Sequence, residues 1–139
     1  MDVSLALLAD AANTSRDGKL NLLGIFDAIQ APQFPSTHPS MMLVLRLEAS
    51  AADGDRAHAL DVRFIDADGG QVFKLDGRVV VPSSLDPGQP HQFTHPIQIN
   101  GLALEGPGQY AFEVRLDGVL AATVPLRVLQ SPAAGPSGA

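Results

Sequence analysis

Apolar and polar residues alternate along most of this chain with a period of two. Tyr110, Phe112, Val114 and Leu116 interleave with Ala111, Glu113, Arg115 and Asp117, and Leu120, Ala122, Val124, Leu126 and Val128 carry the pattern onward. Leu60, Val62 and Phe64 alternate with Asp61, Arg63 and Ile65, as Leu43, Leu45 and Leu47 do with Val44, Arg46 and Glu48. Successive strand side chains point to opposite faces, so each run predicts a strand with one buried face and one mostly wet face. By this template about eight strands are predicted, at 2–11, 20–29, 41–50, 57–66, 71–81, 91–100, 109–117 and 119–129. No segment carries a sustained helical period with caps. The expected fold is all-β.

The residues between the runs agree. Asp-Gly occurs at 17–18, 53–54, 68–69, 76–77 and 117–118, and Asn100-Gly101 adds a related pair. These dipeptides tolerate the positive φ of tight hairpins, so most are expected to turn the chain. Gly24 interrupts the alternation of 20–29 and is expected to mark a bulge. Pro96 and Pro125 fall inside predicted strands and cannot donate to a ladder, which assigns them to edges or bulges. Residues 131–139, SPAAGPSGA, are expected to form a flexible tail behind a single domain at 1–130.

GPGQYAFEVRLDG at 106–118 sets a tyrosine just after a Gly-Pro-Gly corner, and VLAATVPLRVL pairs back on it. This resembles the last two strands of immunoglobulin-like and fibronectin-like antiparallel β-sandwiches, in which a corner tyrosine bonds to nearby backbone. More widely, GKLNLLGIFDAI followed by FPSTHP, then LVLRLEA, VRFIDADGG, GQYAFEVRLDG and PLRV resemble an uncharacterised bacterial family of small immunoglobulin-like β-sandwich proteins, a domain of unknown function. The likeness covers nearly all of residues 1–130 and departs from the pattern at LADAANTS. It implies a bacterial, cytoplasmic protein and transfers no activity.

Length and composition narrow the classes further. The chain has 139 residues, no cysteine and a formal net charge of −6, its nine Lys and Arg scattered singly. Thiolate chemistry, disulfides and cysteine-based metal sites are thereby excluded. With no basic stripe to neutralise phosphates, nucleic acid and anionic membranes are not expected partners. MDVSLALLADAA lacks a positively charged n-region, and Asp2 and Asp10 bound an apolar run too short to span a bilayer. It is predicted to be the first strand of a cytoplasmic protein.

Candidate chemistry fails in turn. Gly18-Lys19 is no P-loop, because Asn13 replaces the required glycine and Leu20 the Ser or Thr. His91 and His95 have the i, i+4 spacing of a zinc site on a helix, but in a strand they stand about 13 Å apart, so surface histidines are expected. Asp66-Ala67-Asp68-Gly69-Gly70 opens like a calcium loop yet has Gly77 where a glutamate belongs; a hairpin turn is expected. Ser83 and Ser84 have no nearby histidine to act as base. No enzyme, cofactor or metal is therefore expected.

What remains is an apolar excess. Phe26, Phe34, Met41, Met42, Ala121 and Ala122 supply more hydrophobic groups than the inner faces of a thin sandwich need. They either cap its open ends or mark an interface. The expected function is a non-enzymatic protein-interaction or assembly module, with Phe26, Phe34, Met41 and Met42 as possible contact residues and a protein partner or a second copy as ligand. The alternative is a small-ligand or carbohydrate-binding sandwich, with calcium at Asp66 and Asp68.

Overall fold

A computed structural model describes residues 1–54, 56–81 and 90–132. These residues form nine strands, β1 (Asp2–Thr14), β2 (Leu20–Phe26), β3 (Ala28–Ala31), β4 (Ser36–Ala49), β5 (Ala57–Ile65), β6 (Gln71–Val80), β7 (His91–Leu104), β8 (Gly108–Leu116) and β9 (Val119–Gln130). A 3-10 turn at Ala51–Asp53 joins β4 to β5. Among the described residues no helix is long and apolar enough to cross a membrane. Ser83 and Ser84, and tail residues 133–139, lie outside the described residues.

The strands make two sheets. One has four strands in the order β2-β1-β4-β7; the other has five, β3-β9-β8-β5-β6, and curls into a half-barrel. The core is the layer between them. Leu8, Leu43, Leu45 and Leu47 of the first sheet meet Phe64 and Phe112 of the second, all fully buried. The Phe64 ring lies 4.6 Å from Phe112 and stacks on Tyr110 at 5.1 Å. Tyr110 then donates its hydroxyl proton to the Gly106 carbonyl at 2.8 Å, the corner bond expected from the sequence.

Several expectations are corrected. The predicted strand 20–29 is two strands: at Asp27 the chain leaves the four-stranded sheet, and β3 pairs in parallel with β9 of the other. The described residues therefore form nine strands, and the fold is not wholly antiparallel. β4 begins at Ser36 rather than 41, and β7 runs on to Leu104, because Pro39 lies opposite Gly101 and the ladder resumes on both sides of them. Asn100-Gly101 and Asp76-Gly77 sit within strands, whereas Asp17-Gly18, Asp68-Gly69 and Asp117-Gly118 turn hairpins. Gly24 produces no register shift: the β1–β2 pairing is continuous around it, with φ +70 at the glycine itself.

Bulges occur elsewhere, between Val3 and Leu5 in β1 and between Val114 and Arg115 where β8 meets β9. The second one leaves Ala121 unpaired and reverses the phase of β9, so Leu120 faces out while Val124, Leu126 and Val128 stay buried. Pro96 lies on the edge strand β7, and Pro125 lies where β9 has no strand outside it, since β3 pairs only from Arg127 onward.

Candidate functional site

The two outer faces differ in kind. On the five-stranded sheet the outward positions of β5, β6 and β8 include Asp61, Arg63, Lys74, Asp76, Arg78, Glu113 and Arg115, with the apolar Ile65, Ala111 and exposed Val80 towards the strand ends. Ion pairs join Arg115 to Glu113 at 3.3 Å and Lys74 to Asp76 at 3.4 Å. Such a face is finished against water.

The four-stranded sheet is not. Leu8, paired with Phe26 and Leu43, faces the core, so the alternating neighbours face out: Leu7, Ala9 and Ala11 on β1, Leu23 and Ile25 on β2, Met42 and Val44 on β4. Leu23 is 70% exposed and Ile25 61%, and Leu5 adds a third exposed apolar group. Ala9 and Val44 are fully buried yet lie outside the core between the sheets, packed under their neighbours in this second apolar layer. Gln98 of β7 bounds the layer on one side, its amide donating to Ser40 Oγ at 2.7 Å and to the Met41 carbonyl at 3.2 Å. Arg46 and Asp27 stand at its other borders. β2 forms one edge of the sheet.

Beside this face a cleft of about 380 Å³ opens at the fork where the chain leaves β2 for β3. Leu8, Phe26 and Val124 floor it, with Ile25, Asp27 and Pro125 at its lip. A second cleft, about 230 Å³, lies at the opposite seam between Leu60 and Val62, Leu75 and Gly77, and His95 and Ile97.

The four candidate contact residues do not form one exposed face. Met41 is fully buried in the core. Phe26 and Phe34 are half-buried and packed against that core, Phe26 with its ring 6.2 Å from His38. Met42 alone lies in the outer layer. Leu5, Leu7, Leu23, Ile25 and Val44 were not singled out from the sequence. For Leu5, Leu7 and Val44 the signal is the failure of alternation in LALLA and MMLVL, and for Leu23 and Ile25 the same failure in LNLLGIF, since strands apolar at both parities need cover on both faces.

The titratable groups serve the frame. His58 is buried, its Nδ1 2.8 Å from Asp117 Oδ2 and its Nε2 2.9 Å from the Asp53 carbonyl. A carbonyl only accepts, so Nε2 donates; with Nδ1 facing a carboxylate, the protonated ring satisfies both partners. The bond to the Asp53 carbonyl, and then the Asp117 carboxylate, raise the His58 pKa against the effect of burial. The His58 bond, and then the Ala59 N–H, lower that of Asp117. The pair resembles half a triad, but the nitrogen that would face a nucleophile is spent on a backbone oxygen.

His91 and His95 are half-buried on the inner side of β7, opposite Ala49 and Leu45, rather than on the surface. Burial lowers the pKa of His95. Asp66 Oδ1 accepts the backbone N–H groups of Asp68 at 3.0 Å and Gly70 at 2.8 Å, which spends that oxygen on the hairpin turn. Among the described residues no three His, Asp or Glu side chains are grouped to hold an ion.

A family model described as "Family of unknown function (DUF6941)" matches residues 4–129. No curated protein matches. Among solved structures the chain is similar to a Pseudomonas fluorescens alkylpurine DNA glycosylase, AlkC, bound to DNA containing an abasic site analogue, with a TM-score of 0.50 and 13% identity. That match takes in 92% of this chain but 30% of the glycosylase chain, so this chain spans less than a third of its length. A β-glucuronidase of glycoside hydrolase family 2 aligns with a TM-score of 0.36 and 18% identity, over 73% of this chain and 12% of that one. At these identities the first likeness concerns the fold alone.

Proposed function

This chain belongs to the DUF6941 family of unknown function, and from that premise we propose that it is a non-enzymatic protein-interaction or assembly module with an immunoglobulin-like sandwich. The corner bond of Tyr110 to Gly106 and the pairing of β8 with β9 support the immunoglobulin-like reading. The proposal sets the protein in the bacterial cytoplasm, in keeping with a chain that carries no cysteine.

One observation carries the functional reading. The outer face of the four-stranded sheet is apolar from β2 to β4, while the outer face of the other sheet carries charged residues across the middle of β5, β6 and β8. Apolar patches rimmed by polar groups mark interaction surfaces, because covering them removes from water area that folding has left exposed.

The test replaces Leu23 and Ile25 together by lysine. Both side chains are largely exposed, so the variant is expected to melt like its parent while losing the associations detected by light scattering and co-purification. A variant that keeps every association of the parent sinks the reading.

The fork cleft supports a second one. Its apolar floor and the single carboxylate of Asp27 suit a small, mostly apolar ligand. Melting shifts with apolar ligands, glycans or calcium, unaffected by Leu23→Lys with Ile25→Lys, would favour that alternative.

A further inference from the structure

Building on the interaction reading, we propose that the apolar outer face of the four-stranded sheet is covered by the same face of a second copy of this chain, in a weak, reversible two-fold dimer. Two features select the second copy.

The first is charge. Charged residues flank the apolar layer on both sides. Asp27 is exposed beyond β2 on one, and Arg46 lies on β4 on the other. Beyond Arg46 on the same face of β4 stands Glu48, opposite Asp2. Among the described residues Arg46 forms no ion pair, and its Nε is buried without a hydrogen-bond partner. A two-fold axis running along β1 between facing sheets exchanges the flanks, which brings Arg46 of each copy over Asp27 of the other. In the register of β1 the two lie two residues apart, level with Leu5 and Leu7. That offset is about 7 Å at the strand rise, which an arginine side chain spans. An isologous contact of this kind satisfies both flanks at once, since every residue meets its partner twice.

The second is size. The layer is three strands wide and runs from Leu5 to Ala11, so it measures about 14 Å by about 23 Å. That is well under half of the about 800 Å² per partner buried in a standard stable interface. A permanent dimer is not expected. Association is expected with a dissociation constant between about 1 µM and about 1 mM, dependent on salt through the Arg46–Asp27 pairs.

Sedimentation velocity on the full chain over that concentration range tests this, with melting curves for every variant to confirm the fold. The parent is expected to pass from monomer to dimer as concentration rises. Leu23→Lys with Ile25→Lys should remain monomeric, as should Arg46→Asp and Asp27→Arg singly. Arg46→Asp combined with Asp27→Arg should dimerise again. Val119→Lys, on an exposed hairpin away from the face, should leave the transition unchanged. A parent monomeric at every concentration overturns the proposal, and so does a dimer indifferent to Leu23→Lys with Ile25→Lys or a double charge swap that restores nothing. A monomeric parent that loses a defined protein partner on Leu23→Lys with Ile25→Lys overturns the second copy but leaves the interaction reading standing. If no association of any kind depends on this face, both fall.

Discussion

Phe112 and Glu113 are neighbours on β8 with opposite fates. Phe112 is fully buried, its ring tilted onto Phe64, while Glu113 faces out and pairs with Arg115 two residues along. Phe112→Ala removes a fully buried ring and should cost about 3–5 kcal/mol, a large part of a small domain's stability. Glu113→Ala gives up one partly covered ion pair on the outer face, worth about 1 kcal/mol. Denaturant melts of the two variants check this; equal effects would mean that the faces of β8 are wrongly assigned. The inward row of this strand could be read from sequence because polar and apolar parities separate cleanly there. His58 could not, since an isolated histidine between two alanines carries no sign that Asp53 and Asp117, five and 59 residues away, will close on it.

β2 shows where local signals stop. Its alternation, and the Asp17-Gly18 turn before it, correctly indicate a hairpin with β1. The same apolar run then continues through Asp27 into β3 with no proline or glycine to mark the crossing. Only the proximity of β9, whose Arg127 N–H donates to the Asp27 carbonyl at 2.8 Å, fixes the change of sheet. Asp76-Gly77 and Asn100-Gly101 fail as turn signals for a related reason: pairing with β5 and β4 holds them extended or in register. Gly24 is intelligible once β2 is in place. Its φ of +70 is open to glycine and strained for a β-branched residue, and an added Cβ would meet the Asp10 side chain. Gly24→Val should therefore destabilise by more than about 1 kcal/mol. Gly24→Asn should cost less, because asparagine enters the left-handed region more readily and the exposed Asp10 carboxylate can move aside. Chemical denaturation of the pair tests it; equal losses would locate the cost in the contact with Asp10 rather than in the backbone.

At the scale of the molecule, two histidines set how the fold answers pH. His58 leaves β5 of one sheet and bonds to Asp53, in the turn that follows β4 of the other, and to Asp117, in the β8–β9 turn. It thus ties the end of one sheet to the last hairpin of the other. Arg56 opposes its charge, and Asp53 itself is held by the Ser50 N–H and by the amino group of Met1, 3.3 Å away. A histidine whose pKa is raised in the folded state binds its proton more tightly there than in the unfolded chain. Its stabilisation is complete below the ordinary value of about 6.5 and is lost as pH rises through the folded value. His95 acts in the opposite sense. Burial at the inner side of β7 lowers its pKa, so its neutral form is favoured by folding, and stability is lost as pH falls from about 6.5 through the folded value. Further into acid, Asp53 and Asp117, both lowered from the ordinary carboxylate value, add a second loss as they take up protons. The melting temperature is therefore expected to peak near pH 6.5 and to decline on both sides. Thermal melts from pH 4 to pH 9 at fixed ionic strength measure this. His58→Asn should flatten the alkaline decline, and His95→Asn the first part of the acid decline. An alkaline decline that survives in His58→Asn would mean that His58 does not hold its proton between Asp53 and Asp117.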